Sequence, residues 1–134
     1  MLFGAIGFSY GSFAHTRKVF DRTGAHSVNL GDNMQSLAVR HLYRCLGIPA
    51  ERIVRIDRDR LAQYDGPPVV LPMNAVSFHN CLPAAPNVIP LFIGFHAAPA
   101  VIRARRGWLA RHGTIVCRDP ATAAALRQPL TSRL

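Results

Sequence analysis

His96 closes an apolar run, Val88 to Phe95, and is the residue of this chain best suited to moving a proton. An imidazole with an unperturbed pKa of about 6.5 serves as general acid or base near neutrality. A hydrogen-bonded strand-end histidine with no chemical role fits the same position. Three further polar sites follow expected strands in the same way: Asp57 after Arg52–Ile56, where basic and apolar residues alternate, Asn74 after the apolar Val69–Met73, and Arg118-Asp119 after Thr114–Cys117. In an open parallel sheet, ligands bind outside the carboxyl ends of the strands, so such residues would share one rim. On that rim Asn74 could hydrogen-bond a sugar hydroxyl, although asparagine after a strand is equally a turn residue. Asp119 is placed to cap a helix, leaving Arg118 to meet an anion.

A second cluster of candidates lies in Asn29-Leu30-Gly31-Asp32-Asn33-Met34-Gln35-Ser36-Leu37-Ala38. A glycine turn here runs into a helix expected over about 33–46, with Asp32 as N-cap and Gln35 reaching back to it. Gly31 would let a ligand approach the backbone near a helix N-terminus, which favours anions. Asp32 is itself an anion and would occupy those N–H groups. It therefore reads as a cap that shapes a cleft, or as a carboxylate that orients a hydroxyl.

The elements that position these residues alternate. Leu2 to Ser9 reads as a buried first strand ending in a glycine-containing loop, Ser9–Ser12, and residues 13–28 read as a long polar loop with room for one helical turn. Strands are expected over 52–56, 69–73, 88–95 and 114–117, with loops over 57–61 and 77–87. Pro99 opens a helix that runs to Gly113, and Asp119-Pro120 opens another that runs to Arg127. Runs that are apolar on both faces, interleaved with helices, predict an open Rossmann-like three-layer α/β sandwich with a mostly parallel sheet. The tail, 130–134, reads as frayed.

The totals bound the rest. A chain of 134 residues, 49% of them hydrophobic, suffices for one domain with a buried core. Its formal charge of +9 comes from 16 basic residues against 7 acidic ones, and Lys18 is the sole lysine. Arginine's planar fork suits phosphates and carboxylates of small ligands. The basic residues are scattered except for Arg103, Arg105 and Arg106, which read as a solvated helix face, and no nucleic-acid motif accompanies them. Cys45, Cys81 and Cys117 have neither the number nor the spacing of a disulfide framework, and His15, His26 and His79 lack metal-ligand spacing. Cys117 reads as a buried, inert strand residue. No run approaches membrane-spanning length, so the expectation is a soluble, cytoplasmic protein without membrane insertion.

Taken in order, the segment from Asn29 to Ala38, Ile56-Asp57-Arg58, Asn87 to His96, and Cys117-Arg118-Asp119 with Thr122 and Leu126 resembles the polysaccharide pyruvyl transferase family. The resemblance implies one half of a GT-B-type glycosyltransferase fold, with residues 1–134 corresponding to the N-terminal half and the second domain absent. It implies transfer of a pyruvyl group from phosphoenolpyruvate to a sugar hydroxyl of a cell-surface glycan, with no metal or organic cofactor. The implied partners are phosphoenolpyruvate, a glycan acceptor, and either further copies of the chain or a separate C-terminal-half partner. His96 would be catalytic, with Asn29, Gly31, Asp32, Gln35, Asn74, Arg118 and Asp119 lining the substrate site. Gly113-Thr114-Ile115-Val116 departs from the family, which more often has a proline and a glycine before the Cys117 position. The competing expectation is a non-catalytic α/β module that binds a sugar or an anionic metabolite.

Overall fold

A computed structural model describes residues 1–9, 14–25 and 29–127, with the side chains of 14–17 excepted. The expected loop residues 10–13, His26 and the tail from 128 onward lie outside the described residues. Strand β1 (Leu2–Gly7) is followed by helices α1 (Ala14–Thr23) and α2 (Leu30–Cys45), then by β2 (Ile53–Asp57), β3 (Val69–Pro72) and the short β4 (Val76–Ser77). Strands β5 (Val88–Leu91) and β6 (Ile93–Ala97) lead to α3 (Pro99–Leu109), β7 (Val116–Cys117) and α4 (Pro120–Arg127). Short 3₁₀ helices at Ala50–Arg52 and Arg58–Gln63 flank β2.

Every ladder among the described residues is parallel. One sheet has the order β2-β1-β3-β5 and the other β4-β6-β7. Strand β4 follows β3 after Met73, Asn74 and Ala75, and β6 follows β5 after Phe92, so the same two stretches of chain carry the pairing from one sheet to the next. This is the Rossmann-like α/β arrangement that the alternating pattern predicts.

Alternation along β1 sends its two faces to different layers. Ile6, with Ile56, Val69, Leu71 and Val88 of the neighbouring strands, enters the main core with Phe95, Ile102, Leu109 and Ala125. Phe3 and Ala5 turn the other way and meet Val39 and Tyr43 of α2. Tyr43 donates to the Gly4 carbonyl at 2.9 Å, and Ser36 donates to the Ile6 carbonyl. Burial pushes the Tyr43 phenol up to about 12, so it stays a donor throughout the neutral range.

Three expectations are corrected. Residues 13–28 are not simply a loop, because α1 forms within them; the segment is mostly polar and lacks the apolar periodicity by which helices are recognised. Helix α2 begins at Leu30 instead of about residue 33, because Asn29 and not Asp32 is its N-cap. The Asn29 carboxamide oxygen accepts from Gly31 N at 2.9 Å and Asp32 N at 3.4 Å, which also places Gly31 inside the helix. Finally, the run 88–95 is two strands, and His96 lies within β6 instead of just beyond a strand end.

Gly94 explains that last difference. Outward and inward side chains alternate from Val88 to Ile93, but Gly94 has φ +75° and the register against β7 slips there, with Ile93 opposite Val116 and Phe95 opposite Cys117. The extra residue turns Phe95 and Ala97 into the main core and His96 to the opposite face. Replacing Gly94 with alanine should destabilise the fold by about 1 kcal/mol, because an L residue resists this backbone region. Gly107 lies in the interior of α3 with open space around its Cβ position, so Gly107→Ala should stabilise by up to about 1 kcal/mol. Urea unfolding midpoints test both signs; a neutral Gly94→Ala would contradict the bulge.

Candidate functional site

His96 and Asp119 meet at the carboxyl edge of the second sheet. His96 Nδ1 lies 2.6 Å from Asp119 Oδ2, and the Thr122 hydroxyl donates to the same carboxylate oxygen at 2.7 Å. Asp119 Oδ1 accepts from the Thr122 backbone N–H at 2.8 Å, making Asp119 the cap expected for α4. Because the carboxylate can only accept, Nδ1 carries a proton, and in the neutral ring Nε2 then has the lone pair. The His96 ring is partly exposed. Such a ring can take a proton from a hydroxyl placed at Nε2, with Asp119 stabilising the resulting imidazolium.

Asp119 is held well below the usual carboxylate range. The His96 hydrogen bond contributes most, followed by the Thr122 amide and the Thr122 hydroxyl. A depressed carboxyl stabilises the fold above its ordinary value of about 3.9, and that stabilisation disappears as pH falls toward the lower folded-state value.

A chain of backbone contacts ties this pair to α2. Arg118 Nη2 donates to the Asn74 carbonyl, and Asn74 Nδ2 donates to the Gln35 carbonyl at 3.3 Å. Gln35 Oε1 is buried with no hydrogen-bond partner. The expected reach of Gln35 back to an Asp32 cap does not form. Four of the expected rim residues, His96, Asp119, Arg118 and Asn74, are thus brought together with Gln35. Asn29, Gly31 and Asp32 lie at the start of α2: the first two build its cap, and Asp32 points into a different cluster.

That cluster centres on Arg58, which sequence reasoning passed over as part of a charged loop. Its guanidinium lies 3.1 Å from Asp59 Oδ1 and 3.6 Å from Asp32 Oδ2. Phe8 and Phe78 stand 4.9 and 4.8 Å from the guanidinium carbon, and all three charged side chains are buried. Asp57 accepts from Asp59 N at 2.9 Å and caps the 3₁₀ helix, so it serves the turn and not the rim. The signal that could have revealed Arg58 was an arginine between two aspartates at the end of an apolar strand, in a chain with few acidic residues.

The arginines of α3 are less solvated than expected. Arg105 and Arg106 each donate to a backbone carbonyl at 3.2 Å, of His79 and Leu126 respectively, while Arg103 is exposed. Two adjoining clefts border β7 and α4, of about 370 and 350 Å³, sharing Ile115, Cys117, Ala123 and Arg127. The second is lined by Arg118, Asp119 and Arg127 and is large enough for a small anionic ligand. Cys117 lines both clefts. Burial pushes its thiol up and Asp119 pushes it further, so it stays protonated and unreactive near neutrality. Among the described residues no three His, Cys, Asp or Glu side chains gather as a metal site, and no helix is long and apolar enough to cross a membrane.

Two outcomes follow from this geometry. Wild-type stability should fall as pH is lowered below about 4, and Asp119→Asn should flatten that part of the profile; an unchanged acid limb in urea titrations would show that the pair contributes nothing. Arg58→Met should cost about 3–5 kcal/mol, because it removes the cation shared by two buried carboxylates. A loss under 1 kcal/mol on chemical unfolding would contradict that arrangement.

No family model matches the chain, and neither does any curated protein or solved structure.

Proposed function

We propose that this chain is the acceptor-binding half of a polysaccharide pyruvyl transferase-like protein of GT-B type, working in the cytoplasm, in which His96 removes a proton from a sugar hydroxyl. The observation that carries the reading is the His96–Asp119–Thr122 arrangement, which holds a partly exposed imidazole at the carboxyl edge of a parallel sheet. The ordered motif resemblance supplies the reaction: two hydroxyls of the acceptor bond to the enol carbon of phosphoenolpyruvate, whose methylene gains a proton to become a methyl group, the C–O bond to phosphate breaks, and phosphate departs with the second hydroxyl proton, leaving a pyruvate ketal. Arg118 and Arg127 border the cleft beside Asp119 and suit the donor's carboxylate or phosphate. Asn74 and Gln35 serve the sugar.

A second reading, a sugar- or anion-binding module without turnover, is favoured by one observation. Arg58 already serves Asp32 and Asp59, and Arg118 already serves the Asn74 carbonyl, which commits two of the rim's arginines to the protein's own groups.

Incubation with phosphoenolpyruvate and sugar acceptors, alone and with a chain supplying a second α/β half, tests the leading reading. A ketal product detected by mass and lowered at least ~100-fold in His96→Gln is the expected result. No ketal under any combination would sink the transfer reading. Calorimetric binding of phosphoenolpyruvate or acceptor without turnover would establish the module instead.

A further inference from the structure

Among the described residues, one face of the sheet is half covered. Phe3 and Ala5 of β1 lie beneath α2, and Phe3 pairs in register with Val70, which pairs with Ile89. Beyond that row the same face continues through Ile89, Leu91 and Ile93 to Val116, the partner of Ile93 on β7. These four apolar side chains are 41–53% exposed. In a three-layer α/β sandwich this position is ordinarily filled by a helix.

Helix α2 also carries an exposed apolar stripe that is largely uncovered among the described residues. Leu30, Met34 and Leu37 recur at helical spacing on α2, opposite buried Asp32, Val39 and Tyr43, and are 61–72% exposed. Helix α2 is therefore apolar on two faces, one spent on β1 and one open to solvent. An open sheet face that lacks a helix and an open helix stripe that lacks a sheet are complementary surfaces. Together the two surfaces expose on the order of 500 Å² of apolar surface. That is about the apolar share of a standard interface of ~800 Å² per partner.

We infer that a second copy of this chain docks here, the outer stripe of each α2 packing on the open β5–β6–β7 face of the other in a reciprocal two-fold dimer. His96 faces the same side of the sheet as Ile93, so the partner helix borders the proposed site. The dimer does not depend on the pyruvyl transfer reading, and its test reads molecular mass, not product. Both copies carry formal charge +9, so repulsion opposes association and added salt strengthens it.

Sedimentation equilibrium of the full chain tests this. Wild type is expected to dimerise at micromolar concentration, more tightly at 0.5 M than at 0.05 M salt. Met34→Lys and Ile93→Glu alter exposed side chains on the two different surfaces, and each alone should weaken the homodimer at least ~10-fold. Mixing the two variants should restore a heterodimer, because one of the two reciprocal contacts then remains wild type and the other pairs lysine with glutamate. A heterodimer also shows that both variants fold. A wild type that stays monomeric at 100 µM, or a dimer that survives either substitution unweakened, would overturn the proposal.

Discussion

The carboxylate of Asp119 is the group on which the candidate site depends. It ends one helix cap, fixes one imidazole and accepts one hydroxyl, and these are a single arrangement because all four groups lie within one turn of α4 and one residue of β6. The negative charge at a helix N-terminus is favoured by the helix it caps. That same charge selects the His96 tautomer. Stability and chemistry therefore draw on the same atoms, and neither can be altered without the other.

How His96 reaches that carboxylate is a matter of backbone. An uninterrupted strand from Val88 to Ala97 would place Phe95 outward and His96 in the core. Gly94 inserts one residue, and the alternation reverses. At the other end of the rim, Arg58 closes the carboxyl end of β2 against the first turn of α2. The rim is thus pinned at both ends by buried or half-buried charge, with Asn74 and Gln35 between.

Much of this could be read from residue order. The parallel α/β class followed from apolar runs that alternate with helices, and the Asp119 cap from Asp-Pro ahead of an alanine-rich stretch. Proximity of Asn74, Arg118 and Asp119 followed from their shared place after strands. What could not be read had specific causes. Two acceptors stood within three residues at the start of α2, and sequence gives no rule for choosing Asn29 over Asp32 until the buried Arg58 claims the latter. Helix α1 lacks apolar periodicity. A glycine inside a strand signals a bulge but not the direction in which it re-aims the next side chain. The burial of Arg58 needed Phe8 and Phe78, which lie fifty and twenty positions away.

The central claim is that Asp119 holds His96 with its proton on Nδ1 and Nε2 free to accept another. Nitrogen NMR of the labelled chain, recorded where the His96 ring is neutral, reads this directly. The account predicts a pyrrole-like Nδ1 and a pyridine-like Nε2, with both resonances moving toward the averaged position in Asp119→Asn. A proton on Nε2, or an averaged ring in the wild type, would contradict it.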